Sequence, residues 1–257
     1  NAKHLRWATK LLVEAIRKAC ADAGISPSQV GHVTVASSTG YLLPGLTAYV
    51  VKDETLGIPK TVAREDVIGM GCHAGMNSLK SAASWACANP GKYAISCGVE
   101  IASAQYVWGK DTRKQLNTVI VNSLFGDGCF CSVLRTSPEG ESQPPPAYID
   151  MPPNWWMQLC DTDALEDMIY NVEASEDKYR FDLSELAPYH VGLGLFTMMQ
   201  HALQSEIPVH LAKHVVTHTG GKTVLDCSAV ALGLEGVPAQ SLPYTVQALR
   251  DYGNQSS

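Results

Sequence analysis

The sequence predicts an α/β protein. Apolar runs of strand length alternate with segments of helical periodicity along both halves of the chain, and Gly-rich turns join strand to helix. The 257 residues suffice for one large domain or two fused halves, and 46% apolar against 17% charged residues is an ordinary globular balance.

The elements follow in order. Leu5, Ala8, Leu11, Leu12, Ala15, Ile16 and Ala19 recur at helical spacing within Lys3–Ala23, and Gly24 closes that helix. Ser26-Pro27 reads as the cap and first position of a short helix, and His32–Ser37 as a buried strand. Gly45–Leu56 is predicted helical, and Thr61–Met70 runs as a strand toward Cys72. Residues 73–88 are dense in Ala and Gly, which predicts a helix buried on all sides. Tyr93–Glu100 is the next strand, Asn117–Ser123 a helix, and Cys129–Arg135 a strand after the Gly126-Asp127-Gly128 turn. The polar, Pro-rich Ser137–Pro146 marks a surface connection. It divides the chain into a half at 1–136 carrying a candidate nucleophile and a partial half at 147–257. Beyond it come a strand near Tyr148–Met151, a helix over Pro188–Gln204, the strand His214–His218, and helices over Thr223–Leu232 and Tyr244–Asp251. Both halves share the order strand, Gly-rich turn, helix, as an internal duplication would leave them.

Composition excludes several function classes. A net charge of −6 leaves no basic stripe for a nucleic-acid backbone. Every apolar run is broken well short of the roughly 18 residues a membrane helix needs, and no cleavable N-terminal signal is visible. The eight cysteines form no CxxC pair and no zinc-ligand spacing, so no metal is expected. Several lie in apolar runs, where a free thiol packs as a small hydrophobe; this favours a reducing, cytoplasmic setting. The chain reads as cut at both ends, since Asn1 opens onto a helix and Ser257 stops just after a turn.

Three Gly-flanked polar residues stand at predicted element junctions. Cys72, in Gly69-Met70-Gly71-Cys72-His73-Ala74-Gly75, lies between a strand and the N-terminus of the Ala-rich helix. Glycines permit the reversal that presents the sulfur, and the helix end favours a thiolate. If the helix end and a nearby imidazolium together lowered the pKa from about 8.5 to about 6, the thiolate fraction at neutral pH would rise from about 3% to about 90%. Cys72 is therefore expected to be the most reactive thiol. His218 ends an apolar run at the mouth of Thr219-Gly220-Gly221-Lys222, while His4, His32, His190, His201 and His210 read as peripheral or helical. Asn254 follows Gly253 in Leu249-Arg250-Asp251-Tyr252-Gly253-Asn254. Taken singly, each has a structural alternative: an inert core Cys, a satisfied His, a turn Asn. Together they supply one nucleophile and two oxyanion donors, which suits thioester chemistry.

Four segments carry a resemblance. They are Gly69–Gly75, Asn122-Ser123-Leu124-Phe125-Gly126-Asp127-Gly128, His218–Lys222 with Leu225-Asp226, and Tyr252-Gly253-Asn254-Gln255-Ser256-Ser257. In order and spacing they resemble the signature segments of type III polyketide synthases, from about residue 5 to the end. Ser38-Thr39-Gly40-Tyr41-Leu42-Leu43-Pro44-Gly45-Leu46, Val121–Gly128 and Leu249–Asn254 resemble the bacterial 3,5-dihydroxyphenylacetyl-CoA synthases in particular. The resemblance implies the five-layered αβαβα thiolase fold and an acyltransferase that condenses malonyl-CoA units decarboxylatively into a cyclised polyketide. It implies that Cys72 carries the acyl group, that His218 and Asn254 polarise the thioester carbonyl, and that Phe125 gates the coenzyme A tunnel. Coenzyme A thioesters are then substrates, with no separate cofactor. The position of Leu43 implies a homodimer, because in that family it reaches into the partner subunit's cavity. Lys222 and Thr223 fall near the expected coenzyme A entrance, where Lys222 meets a phosphate or is simply a solvated helix-start lysine. The family's basic N-terminal residues and its C-terminal glycine-rich segment have no counterpart here.

Two other readings stand beside this one. A β-ketoacyl synthase III shares Cys, His and Asn, but His-x-Gly-Gly argues against it. A truncated, non-catalytic paralogue serving as a dimer partner is favoured by the missing ends and opposed by the intact triad. Enzymes making hydroxymethylglutaryl-CoA use a Glu acid/base, and the sequence shows no Glu in an equivalent setting.

Overall fold

Strand β1 (Val30–Ala36) lies at the heart of a four-stranded sheet, between β2 (Ala63–Val67) and β3 (Tyr93–Glu100), and is parallel to both. β4 (Gly128–Arg135) adds to β3 antiparallel, with Cys97 opposite Cys131, giving the order β2-β1-β3-β4. These belong to the computed structural model of the chain, which describes residues 2–106, 119–141, 156–173, 178–204 and 212–257. The chain divides into two units: Asn1–Ala104 with Asp127–Trp156 and Gln255–Ser257, and Gln105–Gly126 with Met157–Asn254.

In the first unit, helix α1 (Ala2–Asp22) covers one sheet face and α3 (Ala74–Ala88) the other. Every fourth residue of α1, Ala8, Leu12, Ile16 and Cys20, is wholly buried against Val33, Val35, Ile95, Cys97 and Val99. Both faces of β1 and β3 are therefore covered, which explains why they read as nearly unbroken apolar runs. Truncating Ile16 or Ile95 to Ala here costs about 2–5 kcal/mol. The Ala-rich helix is buried on one face only, through Ala74, Gly75, Ser78, Ala82 and Ala86, while Met76 and Cys87 are exposed. The expectation of burial all round is thus corrected: among the described residues of this unit the sheet packs along one face of it, with Ser257 against Gly75 at its start.

Helix α2 (Leu46–Lys52) ends one turn sooner than its periodicity predicts. Asp66 on β2 fixes its start, accepting from the Thr47 N–H at 3.0 Å and the Thr47 hydroxyl at 2.5 Å. Ser26 caps the single turn Pro27–Gln29, as the Ser-Pro pair predicts, and the Gln29 side chain completes a reciprocal capping box that was not foreseen. Of the histidines read as peripheral or helical, His4 is helical but buried, and His32 is buried in β1. His4 packs under the loop after β1, with Nε2 3.3 Å from the Ser37 hydroxyl. His32 stacks on Trp85 of α3 at 5.3 Å.

The second unit contains a helical segment α4 at 119–124, then the antiparallel pair β5 (Met168–Glu173) and β6 (Lys178–Leu183). α5 (Ala187–Gln204) packs on α6 (Lys222–Ala231), which is followed by α7 (Pro238–Ser241) and α8 (Pro243–Tyr252). Leu225, Ala229 and Leu242 form its core with Val215, Leu234, Val246 and Leu249. The strand predicted at His214–His218 does not form: no ladder partner lies beside it among the described residues, and it runs as irregular chain into α6. The hairpin β5–β6 went unpredicted, although Tyr179-Arg180-Phe181-Asp182-Leu183 alternates plainly. The strand expected near Tyr148–Met151 lies outside the described residues, as do 117–118 of the predicted Asn117–Ser123 helix.

Candidate active site

Cys72 sits in a single 3₁₀ turn, Gly71–His73, directly ahead of α3. The reversal into that turn puts Gly69 and Gly71 at φ 78° and 54°, where a side chain would be strained. The loop after β1 fastens the turn from behind, as the Ser38 hydroxyl donates to the Gly71 carbonyl at 2.8 Å. The sulfur is half-buried and accepts from the Ser256 hydroxyl at 3.6 Å.

Beside it lies a carboxyl group that the sequence reading missed. Glu100 ends β3 and is 1% exposed. The Ser38 N–H donates to both its oxygens at 3.0 Å, and the Ser257 hydroxyl to Oε1 at 2.6 Å. The Thr39 hydroxyl accepts from the Ile101 N–H at 2.9 Å, tying the same loop to the end of β3. Burial raises the Glu100 pKa, while hydrogen bonds from Ser257, Thr39 and Ser38 oppose the rise. A charged residue ending an otherwise apolar strand was the signal available in the sequence.

These surroundings correct the expected thiolate. Burial raises the Cys72 pKa above the ordinary thiol range, and the nearby Glu100 charge adds to the rise; the Ser256 hydroxyl acts the other way. The helix end loses this contest because Cys72 precedes α3 rather than opening it, and desolvation is the largest influence on the sulfur. Within its unit Cys72 therefore rests as a thiol. Nor is it the most accessible one, since Cys87 and Cys160 are exposed.

In the second unit His218 precedes α6, whose start is set by Gly221 at φ 119°. The Thr217 N–H donates to the Thr245 hydroxyl of α8 at 3.1 Å, which holds the segment. Burial lowers the His218 pKa to about 4, so its imidazole is neutral at pH 7. A neutral ring offers one N–H donor and one basic nitrogen.

Asn254 is 2% exposed and paired through its backbone with the Leu124–Gly126 segment. Phe125 therefore lies beside Asn254, its carbonyl accepting from the Tyr106 hydroxyl at 2.9 Å and its ring edge-on to Phe181 at 5.6 Å. Lys222 is largely exposed and paired with Asp226 at 2.7 Å; Thr223 beside it is also exposed. Leu43 is 100% exposed in the loop ahead of α2. The structure thus brings Phe125 to Asn254, and Ser256 and Ser257 to Cys72 and Glu100. Among the described residues no group of three or more His, Cys, Asp or Glu could hold a metal ion, and no helix is long and apolar enough to cross a membrane.

The architecture recurs in solved structures. PKS-I of the brown alga Ectocarpus siliculosus superposes with a TM-score of 0.81 at 23% identity, over 100% of this chain and 64% of that one. The 1,3,6,8-tetrahydroxynaphthalene synthase of Streptomyces coelicolor A3(2), a bacterial type III polyketide synthase, superposes at 0.79 and 22% identity, over 100% and 68%. The fold is the thiolase-like α/β fold of the type III polyketide synthases. In sequence, residues 5–138 match the chalcone and stilbene synthases, N-terminal domain, and the chain belongs to that family. It is 34% identical to the 3,5-dihydroxyphenylacetyl-CoA synthases of Streptomyces toyocaensis and Amycolatopsis balhimycina, over 99% of its own length and 63% and 64% of theirs. The chain thus spans under two thirds of these relatives.

Proposed function

We propose that this protein is an acyltransferase that condenses malonyl-CoA units decarboxylatively on Cys72 and releases a cyclised polyketide. In this reading Cys72 attacks a coenzyme A thioester, expelling coenzyme A, and its proton passes to the neutral His218 ring. Malonyl-CoA then loses carbon dioxide, and the electron pair of the broken C–C bond becomes an enolate. That enolate attacks the Cys72 thioester, a C–C bond forms, and the Cys72 sulfur departs. His218 and Asn254 donate to the thioester oxygen wherever negative charge develops. Phe125 supplies an apolar surface that favours losing a carboxylate as neutral carbon dioxide.

The observation that carries the reading is the local architecture of Cys72, a cysteine on a double-glycine turn inside a chain of this family. The similarity to 3,5-dihydroxyphenylacetyl-CoA synthases supports 3,5-dihydroxyphenylacetyl-CoA as the product. The full exposure of Leu43 supports a homodimer in which this loop enters the partner. Eight free thiols support a reducing, cytoplasmic location. In the same reading Lys222 and Thr223 meet a coenzyme A phosphate, with Lys222 leaving Asp226; their exposure at the start of α6 supports this.

Radiolabelled malonyl-CoA with the full-length protein, followed by mapping of label and product mass, tests this. Label on the Cys72 peptide and a product of the mass of 3,5-dihydroxyphenylacetyl-CoA are expected. Absence of label at Cys72 overturns the reading and leaves the chain as a non-catalytic partner.

A further inference from the structure

The sulfur of Cys72 carries negative charge twice in the proposed cycle, before it attacks and when it departs. Its own unit is poorly built for that charge. The site is desolvated, and Glu100, with its hydrogen-bonded carboxyl group, lies close by. The neighbouring His73 is exposed and bonded instead to Asn77, Nδ1 to Nδ2 at 3.0 Å. Ser38 and Thr39 are spent on Gly71, Glu100 and Ile101. Among the described residues of this unit, the side chain that donates to the sulfur is Ser256, at 3.6 Å.

The backbone is arranged for that contact. Ser256 has φ 59° and is the one non-glycine residue with positive φ among those described. A residue with a Cβ is strained there, and such strain persists only where its surroundings over-determine it. They do so on both sides. The Gln255 side chain donates to the Asp127 carbonyl at 3.3 Å, and the Ser257 hydroxyl to Glu100 at 2.6 Å. The Ser257 carbonyl carbon sits so close to Gly75 of α3 that a Cβ there would lie 2.9 Å from it. Residues 255–257 are thus pinned with Ser256 turned toward the sulfur.

We propose that Ser256 is a further catalytic residue: its hydroxyl donates to Sγ of Cys72 and stabilises the sulfur whenever it is anionic. A hydrogen bond to a charged acceptor is about twice as strong as one to a neutral acceptor. The contact therefore strengthens when the thiolate forms, weakens when the sulfur becomes a thioester, and strengthens again when condensation expels it. Such a donor favours both steps without over-stabilising the acyl-enzyme. The assignment rests on the reading of Cys72 as nucleophile.

Iodoacetamide alkylation, which forms an S–C bond and expels iodide, reads the thiolate directly. Because Cys87 and Cys160 are exposed, the rate is followed on the Cys72 peptide by mass spectrometry as a function of pH. Ser256→Ala and Ser256→Gly should both raise the apparent alkylation pKa by about one unit, roughly a tenfold slower reaction below it. Ser256→Gly should at the same time melt no lower than the parent, since glycine accepts this backbone conformation. A Ser256→Gly protein that folds and alkylates with the parent's pH profile overturns the proposal. So does a shift seen only in Ser256→Ala, which would trace to strain. If the profile shifts as expected but Cys72 never takes label from malonyl-CoA, the proposed reaction fails and Ser256 remains the donor to the sulfur.

Discussion

Asn254 and Phe125 are neighbours in a short parallel bridge made by their backbones, although 128 residues separate them in sequence (254 − 125 = 129 positions). The Asn254 N–H donates to the Leu124 carbonyl at 2.8 Å, and the Gly126 N–H donates to the Asn254 carbonyl at 2.9 Å. Two signature segments of the chain are thereby held in register by bonds that use no side chain. Glycine is required on each strand. A Cβ at Gly126 would lie 2.2 Å from the Tyr252 carbonyl oxygen, and Gly253 has φ 74°.

Gly126→Ala should therefore destabilise the protein by about 3 kcal/mol, the upper end for overpacking, because the clashing atom belongs to the backbone. Urea unfolding measures it. An unchanged midpoint would show that the bridge yields without cost.

Because the bridge is made by backbone groups, Asn254→Ala should preserve it and lose only the amide. In the full-length protein that variant should slow malonyl-CoA decarboxylation by about a hundred- to a thousand-fold, the usual loss for one oxyanion donor. Acylation of Cys72 should survive better. Cys72→Ala should do the reverse, abolishing acylation but leaving measurable decarboxylation. Carbon dioxide release and acyl-enzyme formation, measured separately, decide the matter. Parent-rate decarboxylation by Asn254→Ala would leave that residue a turn former only.

Stability should fall in acid because of buried imidazoles. Burial holds His218 and His4 at about 4, below the 6.5 of an unperturbed histidine. Between these values the unfolded chain binds more protons than the folded one, so stability falls as pH drops from 6.5 toward 4. His218→Gln should shrink that loss by about 3 kcal/mol, following the 1.36 kcal/mol carried by each pKa unit. Urea midpoints at a series of pH values would reveal it. An equal acid loss in parent and variant would place the titration elsewhere.

Glu100 acts with the opposite sign. Its folded pKa is raised from 4.5, so above that value the unfolded chain gives up its proton first and stability declines as pH rises. Glu100→Gln should flatten this decline. It should also lower the alkylation pKa of Cys72, because a negative neighbour that opposes the thiolate is gone. A raised alkylation pKa would mean that Glu100 acts on Cys72 chiefly by positioning the loops around it.

His190 on α5 sits between two carboxylates, with Nδ1 3.0 Å from Asp161 and Nε2 3.4 Å from Asp167. The Asp161 hydrogen bond raises its pKa above 6.5. Whatever stability this clasp adds is complete below 6.5 and is lost as pH climbs through the raised value. The stability gap between the parent and His190→Gln should accordingly close with rising pH, and a gap that widens would refute the clasp.

Much of this protein could be read from short stretches of sequence. The helical repeat of α1, the Ser26 cap and the glycines around Cys72 rest on interactions within a few residues, and the apolar runs of β1 and β3 show in composition alone. Composition and local periodicity determine such features directly. The second half was harder. His214–His218 has the composition of a strand, but strand formation needs a partner ladder, and no local signal guarantees one. The alternation through Tyr179–Leu183 was legible and belonged to the hairpin β5–β6. Only the tertiary structure decided the electrostatics of the site. The sequence places Cys72 near a helix start, which argues for a thiolate, whereas burial and Glu100, 28 positions further on, argue against one (100 − 72 = 28). The burial of His4, the stacking of His32 on Trp85 and the grip of residues 255–257 on Cys72 and Glu100 were equally beyond local reading. Desolvation and long-range hydrogen bonding depend on what the folded chain brings to an atom, and no residue's own neighbours in sequence specify that.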